Sequence, residues 1–437
     1  MTTVRPPVAA EVDRPVAARR HRSLRPNRAT WPIWALSAGM PLAFLLGVHG
    51  LVWPLAGVVL AARVLLHRGT RFPWSTVPLV VFVCWIPLSF SVLSPDALPI
   101  FAYRFALFLG CLAAVVWVAN VREDVVPTER IVDWLAALWI CTIAFGYLAQ
   151  VLPNLDMPSP FSALAGPIGR IDFVARISDW HLADNQDFGE RAFSRPAAPW
   201  AAANSWGAAV GILTPFFIRS WLIDVDRRRR RIGVALLAAA VFPILTSANR
   251  GLWIGLVVGL VYFAARKALR GRFGALAVLF GSVVVVGILL VVTPAGSIVQ
   301  SRLGGSGDSN EARSELYVDA WEGAVESPLV GNGVPRETDY YENSPPVGTH
   351  GLLWYLMFIH GFVGLVLFLG WLAIEAFRSG QVRTPLGWWA HLSIIITVVE
   401  VPYYGLLPHV VLLGLAVGIS HREGRRPVPA TAGAAPA

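Results

Sequence analysis

Ser344-Pro345-Pro346-Val347-Gly348-Thr349-His350-Gly351-Leu352-Leu353-Trp354-Tyr355-Leu356 changes character at its midpoint. A long polar segment ends at Thr349, and an apolar run begins at His350 and continues to about residue 375. That run exceeds the ~20 residues that carry a helix across a hydrocarbon layer of ~30 Å. Reading it as a membrane span decides how the remaining chain is read. It also places His350 at a helix N-terminus, where the helix dipole disfavours the imidazolium form. A neutral histidine at a membrane surface is a candidate general base.

Composition agrees with a span. The 437 residues are 55% hydrophobic and 14% charged, with mean hydropathy +0.58. Soluble domains are nearer a quarter charged, so this is an integral membrane protein. The 18 tryptophans and 22 phenylalanines suit a chain that anchors at two water–lipid interfaces. The net charge of +9 is almost wholly arginine, because Lys267 is the only lysine. Basic inner loops facing anionic headgroups account for it without nucleic acid. Cys84, Cys111 and Cys141 all lie inside apolar runs and form no CxxC or Cys/His cluster. Neither a disulfide framework nor a metal site is indicated, and no cofactor is expected.

The chain divides into three expected regions. Residues 1–30 form a basic, disordered cytoplasmic tail. Residues 31–420 form the transmembrane domain, and 421–437 a low-complexity, disordered cytoplasmic tail. No cleavage site follows the run Trp31–Gly50, which reads as a retained helix. The fold class is an all-α polytopic membrane protein with about twelve transmembrane helices. Their limits are near 31–49, 51–66, 74–93, 100–120, 131–151, 199–222, 232–248, 251–266, 273–293, 350–375, 385–403 and 405–420. With both termini in the cytoplasm, every inner loop is basic, including the run Arg227 to Arg231. Two long extracytoplasmic loops remain, 152–198 and 294–349. The second is expected to contain a short amphipathic helix from Ser309 to Glu326, stopped by Ser327-Pro328.

The informative charges are those that break the inside-positive pattern: Arg104, Arg170, Arg176, Arg191, Arg195, Arg250, Arg302, Arg313 and Arg336. Arg250 sits in a tight turn, Ser247-Ala248-Asn249-Arg250-Gly251, and Arg313 in the first turns of the expected surface helix. Such arginines need water or an anionic partner, and guanidinium forks match phosphate oxygens. Several of them beside a neutral histidine suggest a diphosphate site. Taken singly, each outer arginine pairs equally well with a loop carboxylate such as Glu326 or Glu337. His350 taken alone could simply bond a loop carbonyl.

Weaker signals are set aside. Asp224-Val225-Asp226 lacks the α/β domain of a nucleotide-sugar site. Gly331-Asn332-Gly333 lacks the setting of a phosphate loop. Gly361 and Gly364 read as helix-packing positions, and His360 as a packing residue. Glu400 and His409 flank the last outer turn, Pro402-Tyr403-Tyr404-Gly405.

Taken in order, several motifs resemble the O-antigen ligase/polymerase family. They are Ser247-x-x-Arg250-Gly251; Arg313 with Trp321, Pro328 and Gly331-x-Gly333; and Thr349-His350-Gly351 followed by Gly361-Phe362-Val363-Gly364. Arg195 with Asn204-Ser205-Trp206-Gly207 resembles the stretch that opens the family's middle span. The chain departs at Gly351, where the family commonly carries asparagine. The resemblance implies an inverting, metal-independent glycosyltransferase, ligase or polymerase, at the outer face of the bacterial cytoplasmic membrane. Its partners would be a polyprenyl-diphosphate-linked glycan donor and a glycan, lipid or wall acceptor. His350, Arg250 and Arg313 would be catalytic, and Arg195, Asn204, Arg191 and Arg336 would bind substrate. A transporter or flippase of anionic lipid-linked glycans is the alternative. It would need charges deep within the spans, and the spans carry few.

Overall fold

The computed structural model describes residues 27–188, 191–292, 307–337 and 346–426. The expected tails fall almost wholly outside these residues, and so does the start of the second outer segment. The described chain is built from α1 (Val52–Leu66), α2 (Val77–Trp85), α3 (Leu98–Asn120), α4 (Thr128–Val151), α5 (Ala203–Trp221) and α6 (Arg227–Thr246). These are followed by α7 (Arg250–Ala268), α8 (Gly274–Val292), α9 (Gly307–Glu326), α10 (Leu352–Ser379), α11 (Pro385–Glu400) and α12 (Val410–Gly424), with several shorter turns between.

Hydrocarbon cannot satisfy a backbone N–H or C=O, so apolar runs of this length become helices. Among the described residues, five segments are long and apolar enough to cross a membrane: Trp74–Val92, Pro95–Asn120, Thr128–Val151, Arg250–Ala268 and Leu352–Ser379. Shorter apolar helices, such as Pro385–Glu400, stand beside them. The protein is an all-α, multi-pass membrane protein. Two expected spans are interrupted. The run 31–49 is split into Trp31–Ala35 and Met40–Leu46. The run from residue 74 changes from α to 3-10 geometry at Ile86-Pro87, where proline cannot donate the next hydrogen bond.

The bundle is organised around α12, which is buried at every residue from Val410 to Glu423. It packs chiefly on α3 and α11. The approach is close because small residues face backbone: a Cβ on Gly418 would lie 3.0 Å from the Val115 carbonyl oxygen. Nearby, α5 is wedged between α4 and α11, with Trp139 and Phe217 stacked at 3.9 Å. Along α7, Gly251, Gly255 and Gly259 present one bare stripe to α11. A Cβ at Gly251 would meet the Tyr404 ring at 2.8 Å, and one at Gly259 would meet Ile396 at 2.9 Å. This stripe draws the start of α7 against the end of α11.

The opposite end of the bundle carries a closed polar network. Glu375, fully buried, accepts from Ser75 Oγ at 2.7 Å, His421 Nε2 at 2.9 Å and Arg378 Nε at 2.8 Å. Arg422 donates to the carbonyls of Val118, Val121 and Val126, which close the end of α3 and the loop after it. The two aspartates of Asp224-Val225-Asp226 are structural. Asp226 caps α6 through Arg229 N, and Asp224 pairs with Arg219 at 3.6 Å.

Between α4 and α5, two short antiparallel strand pairs stand where no strand was expected. They are β1 (Asp156–Met157) with β2 (Trp180–His181), and β3 (Ala183–Phe188) with β4 (Arg191–Pro196). The second hairpin places Asp184 opposite Arg195.

Candidate active site

The turn Ser247-Ala248-Asn249 and the start of α7 present Arg250. Ala248 has φ +51°, so the chain reverses within a few residues. This turn is braced from the second hairpin. Arg195, only 3% exposed, donates from Nε to the Ser247 carbonyl at 2.8 Å. Its Nη2 donates to Asn204 Oδ1 at 3.0 Å and to Asn249 Oδ1 at 2.5 Å. Asn249 returns a bond from Nδ2 to the Ala203 carbonyl at 2.8 Å, closing the ring between β4, α5 and the turn. Arg195 and Asn204 therefore stand next to Arg250, in a bracing geometry. Asp184 belongs to the same region. Its Oδ2 accepts from Ala203 N at the start of α5, and its Oδ1 lies 2.9 Å from His181 Nε2. That hydrogen bond, with the Asp184 and Asp156 charges, raises the His181 pKa above its ordinary value.

His350 is half-buried two residues before α10. Gly351, with φ +95°, turns the chain into the helix. A Cβ there would overlap the Pro402 carbonyl oxygen, so neither asparagine nor any other side chain fits. The first two N–H groups of α10, which have no partner inside the helix, are taken by the turn between α11 and α12. Leu352 N bonds the Tyr404 carbonyl at 2.7 Å, and Leu353 N bonds the Val401 carbonyl at 3.3 Å.

Tyr404 also holds the arginine turn. Its hydroxyl accepts from Leu252 N at 2.6 Å, and its ring lies against Gly251. One residue thus ties both Gly351-Leu352 and Gly251-Leu252. Arg250 and His350, 100 positions apart, each sit one residue outside those ties.

Thr349 Oγ1 donates to the Pro346 carbonyl at 2.7 Å and lies 3.3 Å from His350 Nδ1.

The segment between α8 and α10 brings α9 over α10. Tyr317 stacks on Trp354 at 4.3 Å, and Trp321 meets Phe362 edge-on at 5.5 Å. Arg313 lies on α9 one turn before Tyr317; its side chain, like that of Arg191 on β4, lies outside the described residues. After α9 the chain inserts into a break in α10. Gly361, φ +68°, interrupts that helix and frees carbonyls that the loop claims. Asn332 N bonds Phe358 O at 2.9 Å, Gly333 N bonds Ile359 O at 3.0 Å, and Phe362 N bonds Pro328 O at 2.8 Å. Gly331-Asn332-Gly333 is thus more than a turn, since it substitutes for a missing stretch of helix. Arg336 closes this loop. It is 3.6 Å from Glu326, donates to Asn332 Oδ1 at 3.2 Å, and stands over the Phe358 ring.

Sequence reasoning missed the linking role of Tyr404 and the bracing role of Asn249. The spacing Gly251-x-x-x-Gly255-x-x-x-Gly259 was the available signal for the first.

Residues 234–369 match the family model described as O-Antigen ligase. No curated protein matches the chain. The matched stretch runs from α6 through the Arg250 turn, α9 and His350 to beyond the Gly361 break. It covers every element that carries Arg250, Arg313 and His350, and over this stretch the chain is similar to the O-antigen ligase family.

Proposed function

We propose that the protein moves a glycan from a polyprenyl-diphosphate donor to an acceptor hydroxyl, with inversion and without a metal, at the outer face of the cytoplasmic membrane. The twelve-span layout, with both termini in the cytoplasm, is part of this reading. It puts the Arg250 and His350 turns on the non-cytoplasmic side. Arg250 and Arg313 hold the donor diphosphate and offset the charge that grows on it as it leaves. Arg195 and Asn204 support this by fixing the turn that aims Arg250, with Arg191 on the same hairpin. Arg336 acts by closing the loop that completes α10. His350 takes the proton of the acceptor hydroxyl. The hydroxyl oxygen forms a bond to the anomeric carbon from the face opposite the diphosphate. The old carbon–oxygen bond breaks with its electrons going to the departing diphosphate.

The observation that carries this reading is Tyr404. Its carbonyl and its hydroxyl fasten the histidine turn and the arginine turn to one residue. A direct test supplies the purified protein in lipid with a polyprenyl-diphosphate glycan and an acceptor glycan, without added metal and with a chelator. Release of polyprenyl diphosphate together with a product of inverted anomeric configuration is expected. Retained configuration, or no turnover until a divalent cation is added, overturns the mechanism.

A further inference from the structure

The polar network at the α12 end of the bundle borders a cavity. Its volume is about 340 Å³, and it lies between the turn that joins α10 to α11 and the last residues of α12. Pockets that take small ligands start at about 300 Å³. Arg378, Gln381, Arg383 and Thr384 line it on one side, and Glu423 and Arg426 on the other. The lining thus sets three guanidinium groups against one carboxylate. Thr384 caps α11 through Gly387 N at 3.2 Å, so the positive end of a 16-residue helix dipole adjoins the same space.

The network holds two of these arginines without using all their donors. Arg378 donates from Nε to Glu375 at 2.8 Å and from Nη2 to Ser420 Oγ at 3.2 Å. Its Nη1 has no such bond to a described residue, and it stands 3.9 Å from the point that a Cβ on Gly424 would occupy in the cavity wall. Arg426 is anchored to Glu123 at 2.9 Å and to Glu423 at 3.0 Å. Arg383 is exposed, with no hydrogen bond or ion pair among the described residues. Closing the bundle requires nothing of Arg383. An unengaged guanidinium fork beside two cations held in place matches the oxygens of a phosphate.

We propose that this cavity binds a phosphate-bearing ligand, with Arg383 and Arg378 Nη1 as donors and Arg426 adding charge from the opposite wall. The phosphate belongs either to the headgroup of an anionic phospholipid or to a soluble phosphate ester. Held there, it ties the α10–α11 turn to the end of α12. The 28 residues of α10, roughly 40 Å of helix, separate this site from His350. The inference therefore stands apart from the transfer reaction. In the proposed orientation the cavity faces the cytoplasm, where basic pockets between spans take anionic headgroups.

Phenylglyoxal labelling of the full-length protein in phosphatidylcholine nanodiscs, read residue by residue by peptide mass spectrometry, tests this. Inorganic phosphate at ten times its dissociation constant, with ionic strength held constant, should slow labelling of Arg383 about tenfold. Exposed Arg270, just after α7, is the reference and should keep its rate. Nanodiscs of equal parts phosphatidylcholine and phosphatidylglycerol, without phosphate, then separate the sources. Protection of Arg383 there identifies a headgroup, and protection by inorganic phosphate alone identifies a soluble ester. Gly424→Leu should abolish protection in both arms. Its Cβ would make an ordinary contact, 3.5 Å from Val382 Cγ2, so the side chain fills the cavity and alters no charge. Arg383 labelling that neither probe slows overturns the proposal. So does slowing that persists in Gly424→Leu, or that Arg270 shares equally. Should the leucine variant not fold, the comparison of Arg383 with Arg270 still decides.

Discussion

The two ends of the bundle use arginine in opposite ways. At the end that holds α12's last turn, cations meet carboxylates and carbonyls inside the protein. Glu375 is shared by Ser75, His421 and Arg378, while Arg422 closes three backbone carbonyls and reaches Glu123. At the other end, Arg195 donates to neutral oxygens, and Arg104 stands over the Tyr355 ring. Both ends bury charge. One consumes it in closing the structure, and the other aims it toward the turns that carry Arg250 and His350. Arginine count alone therefore does not separate a structural region from a reactive one. The chemical type of each arginine's neighbours does.

Three experiments would break or sharpen this contrast. The largest effect is expected from His350→Ala, which should slow transfer by roughly 10²–10⁴-fold with little change in thermal stability. Steady-state rates beside a melting curve would show it, and a variant turning over at the normal rate removes the general base from the scheme. Glu375→Gln should act in the reverse sense. It leaves Arg378 and His421 without their shared carboxylate, a loss on the order of 3–5 kcal/mol for a broken buried pair, while each folded molecule keeps its transfer rate. If turnover per folded molecule collapses as well, the two ends are coupled and the contrast fails. The smallest effect belongs to Tyr404→Phe. The hydroxyl's bond to Leu252 N is lost and a buried N–H is stranded, at about 1–3 kcal/mol. Because this loosens the link between the turns, the rate should fall about tenfold alongside the melting temperature. A drop in stability with no change in rate would mean that the turns keep their alignment without it.

Much of the architecture was legible because lipid permits few backbone choices. Apolar runs became helices, and a helix occupies Gly307–Glu326 within the polar segment before α10. What stayed hidden depended on contacts between distant residues. The hairpin of β3 and β4 has no alternating apolar pattern, since its strands read Ala183-Asp-Asn-Gln-Asp-Phe188 and Arg191-Ala-Phe-Ser-Arg-Pro196. Its register follows from Asp184 and Arg195 finding partners on α5 and the Ser247 turn. The break in α10 was also hidden. Gly361 read as a packing position, and only the docked loop at Pro328–Gly333 shows that it ends one helix segment and begins another. Of the candidate site, Arg250 and His350 could be singled out from charge placement and motif order. Their joint attachment to Tyr404 was not, because one backbone carbonyl and one hydroxyl carry it.

The buried path of α12 has a consequence for biogenesis. It follows the other described helices in the chain, yet it fills the middle of the bundle. Helices made earlier must enter the lipid before it and leave a slot for it. Until α12 fills that slot, the Leu352–Tyr404 bond has no settled turn to form against, so a nascent chain would hold Arg250 and His350 without the link between them.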